Sequence, residues 1–191
     1  MPKIVTEDLI KRYSDEMKVI DVVQNLQFMT WKFCLSTELW EKGHIDLVIS
    51  NIKDMKKIKY FGEKDGELSA DISKLPNDKG GIYIYSIESN ILPALGSYIM
   101  YVGRARKTET CSLQARAKSH FAQYKRHEEN ERLERVFDSW KQYVYLSYLP
   151  IEGNDKIDLA EEQLIMALTP PCNKRYPSPK VRRKLSAFQY S

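Results

Sequence analysis

Apolar residues recur at steps of three and four near the start of the chain, at Ile10, Tyr13, Met17, Ile20, Val23 and Leu26, which paints one stripe along a helix. A second helical stretch is expected to begin at Ser36 or Thr37, either of which can cap the free amides of TELWEKGHIDLVISNIKDM, with Gly43 as its candidate break. Trp31, Phe33 and Trp40 near the junction read most simply as core residues. His44 has no carboxylate or second histidine at ligand spacing and reads as structural or exposed. Residues 62–79, GEKDGELSADISKLPNDK, carry the turn formers and charges of a connector. The pattern thus divides the chain into a helical N-terminal extension, residues 1–75, and a second unit, residues 76–191.

Beyond the connector the period changes from helical to alternating. In GGIYIYS, Ile82 and Ile84 point to one side of a strand while Tyr83 and Tyr85 point to the other. SYIMYVG alternates in the same way, with Ile99 and Tyr101 on one side, and the link containing Pro93 and Gly96 allows an antiparallel hairpin. Two tyrosines could thus face one cleft. Ser112 can start a helix whose packing positions are Leu113, Ala117, Phe121 and Tyr124. Arg116 and His120, one i,i+4 step apart beside that stripe, can both reach a pocket at its edge. A helix with Leu133, Phe137 and Trp140 follows, then a strand over residues 143–149 that Pro150 helps to end.

The last helix, from Asp158 to about Leu168, places Leu164, Ile165 and Leu168 on the face that also carries Glu161. Burying an unpaired carboxylate is expensive, so Glu161 should have a compensating cation, either a metal ion or an arginine. Thr169-Pro170-Pro171 then stops the helix and turns the chain into Cys172-Asn173, where Asn173 is either an ordinary turn residue or a tie from the loop back to the strands.

At 191 residues, 42% hydrophobic and 29% charged, the chain has the makings of a soluble protein rather than a disordered one, and no apolar run is long enough for a membrane span. The acids in MPKIVTEDLIKRYSDE argue against a signal peptide, and Cys34, Cys111 and Cys172 form no CxxC pair, so a reducing cytoplasm fits best. The net charge of +4 is uneven: residues 1–75 hold 12 Lys+Arg against 13 Asp+Glu, and residues 76–191 hold 18 against 13. Clusters at Arg104, Arg106 and Lys107, at Arg116, Lys118, Lys125 and Arg126, and from Lys174 and Arg175 through Lys180, Arg182, Arg183 and Lys184 suit a phosphate backbone. Solvated surface is the bland alternative for such runs.

GIY at 81–83, YVG at 101–103, ARAKSHF around Arg116 and His120, and AEEQLIMALTPPCN around Glu161 and Asn173 follow one another in order. Together they are similar to the successive motifs of the GIY-YIG nuclease superfamily, over residues 80 to 175. Val102 replaces the usual isoleucine, and the stretch between Gly103 and Arg116 is longer than usual, which could alter substrate contacts. The resemblance implies a small α/β (α+β) fold, a three-stranded antiparallel sheet flanked by helices. It implies hydrolysis of phosphodiesters to 5′-phosphate and 3′-OH ends with one Mg²⁺ or Mn²⁺ per active site, held by Glu161. Tyr83 would be the general base, Arg116 would stabilise phosphate charge, Tyr101 and His120 would position water or phosphate, with His120 a proton relay, and Asn173 would organise the site from behind. Arg104 would add a phosphate contact.

Only eighteen residues follow Asn173, which resembles a stand-alone, restriction-type endonuclease acting on double-stranded DNA as a homodimer, without a membrane partner. Two other readings stay open: a structure-specific repair or recombination nuclease, and a nucleic-acid-binding module that kept the scaffold and lost turnover.

Overall fold

The computed structural model describes residues 33, 35, 37–46, 52–64, 66–89, 96–174 and 176. The stripe from Ile10 to Leu26, Trp31, Cys34, residues 90–95, Arg175 and the tail from residue 177 lie outside the described residues.

The alternation at 82–85 becomes β2, Gly81–Glu88, which is buried along nearly its whole length. A strand covered on both faces needs apolar or aromatic side chains on both, and this one supplies isoleucines to one and tyrosines to the other. It pairs antiparallel with β3, Ser97–Ala105, with Tyr85 opposite Tyr101 and a register shift just after Tyr85. On its other side lies β4, Val144–Pro150, and outside that β1, Lys56–Lys59. The sheet order is β1-β4-β2-β3, all antiparallel.

The molecule is a mixed α/β fold, and among the described residues its sheet has four strands where three were expected. The additional strand comes from sequence that reads as helical. In KKIK only Ile58 is buried, opposite Leu146, while Lys56 and Lys57 are exposed and Lys59 is half-buried. Four residues with one apolar side chain carry too little alternation to announce a strand, while lysines on a sheet edge discourage pairing with another chain. The expected helix after Thr37 is correspondingly shorter: α1 spans Thr37–Asp46, and a 3₁₀ turn at Ile52–Asp54 leads into β1.

Residues 60–75, expected as extension and connector, also contribute to the core. Tyr60, Phe61, Ile72 and Leu75 are buried, and a 3₁₀ helix at Ala70–Lys74 is capped by Ser69, whose side chain accepts from the Asp71 amide. Tyr60 sits 4.8 Å from Tyr85 and 5.2 Å from Phe137 between ring centroids, and Phe61 5.3 Å from Phe137. Phe33 and Trp40, expected in the core, are instead exposed, at 40% and 45%.

Three helices cover the sheet. Ser112 caps α2, Leu113–Lys125, by accepting from the Ala115 amide, and Asn130 caps α3, Glu131–Trp140, by accepting from the Arg132 amide. The last helix, α4, spans Asn154–Leu168, starting a turn earlier than expected, and stops at Thr169, whose left-handed φ of 43° precedes the two prolines. On one sheet face Ile82, Ile84, Val102 and Leu149 pack with Ile157, Ala160, Leu164 and Ile165 of α4. On the other, the tyrosines of β2 meet His120 of α2 and Phe137 of α3. No helix among the described residues is long and apolar enough to cross a membrane.

Candidate active site

Tyr83 and Tyr85 alternate onto the α2 face of the sheet, and Tyr101, opposite Tyr85, shares that face. Arg116 and His120, one turn apart on α2, reach the same place. The Tyr83 hydroxyl lies 2.7 Å from Nε2 of His120 and 3.3 Å from Nε of Arg116, which donates to it. Tyr101 completes the cluster, its ring 6.3 Å from that of Tyr83 and 6.0 Å from the imidazole.

Gly103 makes this packing feasible. A Cβ there would stand 2.5 Å from both Cζ and the hydroxyl oxygen of Tyr83 and 2.7 Å from Cε1 of Tyr101, so only a glycine lets the Tyr83 ring lie across β3. Gly81 serves the opposite side of β2, where a Cβ would stand 2.1 Å from the Leu149 carbonyl oxygen.

Glu161 approaches from α4. Its Oε2 pairs with Nη1 of Arg104 at 2.6 Å, and Nε of Arg104 lies 3.2 Å from Oδ1 of Asp158, one turn earlier on the same helix. Burial chiefly raises the pKa of Tyr83 and Tyr101, and the Glu161 charge adds a smaller rise to both. Burial pushes the Glu161 carboxyl itself above the ordinary range, Arg104 pulls it back and Asp158 adds to the rise.

Among the described residues no three His, Cys, Asp or Glu side chains gather as a metal-ligand group. A cation here would therefore rest on Glu161 with water and phosphate completing its shell, an arrangement magnesium favours. The donor fits: among the described residues Arg104 alone hydrogen-bonds the carboxylate, through one oxygen, and a half-buried acid with a raised pKa gains by meeting positive charge.

Asn173 works on the strand rather than in the cluster. Its Oδ1 accepts from the Val102 amide at 3.0 Å and its Nδ2 donates to the Val102 carbonyl at 2.8 Å, while the Cys172 amide donates to the Met100 carbonyl. The TPPCN loop thereby runs along the outer edge of β3 and satisfies backbone groups that an edge strand leaves unpaired. Asn173→Ala is expected to strand the buried Val102 pair and cost roughly 2–3 kcal/mol, on the order of 5–10 °C in Tm. Thermal unfolding of the variant checks this, and an unchanged Tm would refute the clamp.

The basic candidates divide. Arg104 and Arg106 are engaged by α4, Arg104 as above and Arg106 with Asp158 at 3.3 Å, so Arg104 is not an open phosphate contact. Arg126 pairs with Glu128, and Lys118 reaches Gln114 along its own helix. Lys107, Lys125 and Lys174 are exposed. A depression of about 450 Å³ between residues 61–66 and 138–143 contains none of the residues of the tyrosine cluster.

Two residues in the site were not singled out from sequence. Asp158 shares Arg104 with Glu161, and Glu129, with a side chain only 6% exposed, lies 2.5 Å from Nδ1 of His120. Nothing marks Glu129 among its neighbours Glu128 and Glu131, since all three fall in one run of polar residues. Asp158 had a weak signal, one helical turn before Glu161. Comparison with protein-family models, with curated proteins and with solved structures finds no match to this chain.

Proposed function

We propose that this chain is a GIY-YIG endonuclease: a cytoplasmic, metal-dependent enzyme that hydrolyses DNA phosphodiesters to 5′-phosphate and 3′-OH ends, of the stand-alone restriction type acting on duplex DNA as a homodimer. The observation that carries the reading is the convergence on one phenol. Tyr83 meets an imidazole nitrogen at 2.7 Å and a guanidinium nitrogen at 3.3 Å.

The residue chemistry supports it. Burial chiefly, with the neighbouring Tyr101 adding, holds the Tyr83 hydroxyl well above its ordinary pKa, so a standing phenolate is excluded near neutral pH. A neutral phenol can still take a proton from water if it passes its own to a neighbour in the same step, and Nε2 of His120 is placed to receive it. Among the described residues Arg116 hydrogen-bonds Tyr83 through Nε alone, and its terminal amino groups would serve phosphate oxygens as negative charge builds. Glu161 would hold Mg²⁺ or Mn²⁺, which when bound supplies neutralisation of phosphate charge and stabilisation of the departing 3′ oxygen.

The test is incubation of purified protein with a fully sequenced, unmethylated viral genome in Mg²⁺ and in Mn²⁺, followed by end-mapping. Discrete fragments from linear duplex are expected. Cutting confined to branched or flapped substrates would favour a structure-specific nuclease, and inertness toward varied DNAs would overturn the enzyme reading.

A further inference from the structure

Behind His120 stands an acid that the tyrosine-centred chemistry leaves unused. The helix α2 ends at Lys125 with Arg126 as its C-cap, and His127 then adopts a left-handed φ of 55°, unusual for a residue with a side chain. This reverses the chain. Glu128 and His127 point outward, Glu128 to the exposed Arg126 and His127 to Glu134, whereas Glu129 turns back under α2. One of its oxygens accepts from the Asn130 amide at 2.8 Å and the other meets Nδ1 of His120 at 2.5 Å. Asn130 is itself fixed twice, capping α3 and donating to the Cys172 carbonyl beside Asn173.

We propose that Glu129 is the positioning residue of a Tyr83–His120–Glu129 proton relay: it holds the His120 proton on Nδ1 and thereby keeps Nε2 open to receive the Tyr83 proton. The inference rests on the nuclease reading and extends it.

A carboxylate can only accept, so Nδ1 must donate to it and Nε2, facing the Tyr83 hydroxyl, must be the acceptor. As water attacks phosphorus, its proton passes to the Tyr83 oxygen while the Tyr83 proton passes to Nε2. The P–O3′ bond breaks, the 3′ oxygen takes a proton from solvent, and the imidazolium, stabilised by Glu129, later returns its proton to solvent. Titratable or charged neighbours face the imidazole from every side: Tyr83 and Tyr85 from β2, Tyr101 from β3, Arg116 one turn back on α2, and Glu129 from the loop. Burial lowers the His120 pKa against the pull of Glu129, so the ring is neutral near pH 7. Burial also disfavours the Glu129 charge, but the hydrogen bond from His120, with the Asn130 amide and the Arg116 charge adding, holds its carboxyl below the ordinary value, so this acid stays ionised.

Glu129→Gln removes the charge at constant size, and a glutamine amide can also donate to Nδ1 and trap the wrong tautomer. The expected result is a kcat lower by about 10²-fold or more at unchanged KM, by analogy with neutralising the acid of an acid–histidine pair. The acid limb of the pH–rate profile should move to lower pH, because an imidazolium without its counter-charge loses its proton earlier on a rising pH scale. Glu129→Asp should recover part of the rate, and Glu128→Gln should match wild type. Imidazole ¹⁵N spectra of the wild-type protein read the tautomer without cleavage, with His120 expected neutral and protonated on Nδ1 near pH 7. A proton found on Nε2, or a Glu129→Gln protein with wild-type kcat and pH profile, would overturn the proposal. Absence of cleavage by wild type would instead remove the nuclease reading on which it rests.

Discussion

Glu161→Ala is expected to lower the DNA cleavage rate by about 10³-fold or more, a loss of about 4 kcal/mol of transition-state stabilisation, while leaving duplex affinity near wild type. Glu161 is the acid whose surroundings suit a divalent cation: it is half-buried on α4, bound through one oxygen to Arg104, and raised in pKa by its burial. Its removal should disturb the fold little. Arg104 keeps Asp158 as partner, and the apolar cluster of α4 against the sheet does not depend on position 161. Cleavage kinetics on a mapped substrate, beside a mobility-shift titration at the same salt concentration, separate the two effects. Loss of affinity in step with cleavage would make Glu161 structural, and undiminished cleavage would remove it from the metal site. A chain whose wild-type form binds DNA without cutting would be the binding module instead.

Gly103→Ala should combine a stability loss of about 1–3 kcal/mol with a fall in activity of about 10²-fold. The new methyl would stand 2.5 Å from the end of the Tyr83 ring, and that ring is 3% exposed and held by His120 and Arg116. It cannot swing into solvent, so either β3 shifts or the phenol leaves its partners. Combining the change with Tyr83→Ala should show non-additivity, because removing the ring removes the collision. Thermal unfolding of the single and double variants measures this coupling. Additive losses would mean that strand geometry, rather than the clash with Tyr83, sets the requirement for glycine.

Much of the sheet was legible because its central strands alternate strongly. Ile82, Tyr83, Ile84 and Tyr85 declare both faces of a strand within four residues, and Ser112 marks the start of α2 by a cap that depends only on local geometry. Arg116 and His120 were legible as a pair for the same reason, since i,i+4 spacing fixes their common direction. β1 was not. Its place is set by the open edge of β4 and by one isoleucine meeting Leu146, contacts made across about ninety residues of chain. Phe33 and Trp40 misled because large aromatic residues suit a core, yet both are exposed while Tyr60, Phe61 and Phe137 are buried.

By itself the sequence determined the local periods: which segments alternate, where helices are capped and stopped, and which polar residues fall beside an apolar stripe. Only the tertiary structure decided which of those polar residues meet. It bound Arg104 to the acids of α4, turned Asn173 against the edge of β3, and brought Glu129 under His120. Backbone preference acts over a few residues and can be read from neighbours, whereas the pairing of buried charges depends on where distant segments come to rest and which partner can offset their lost hydration.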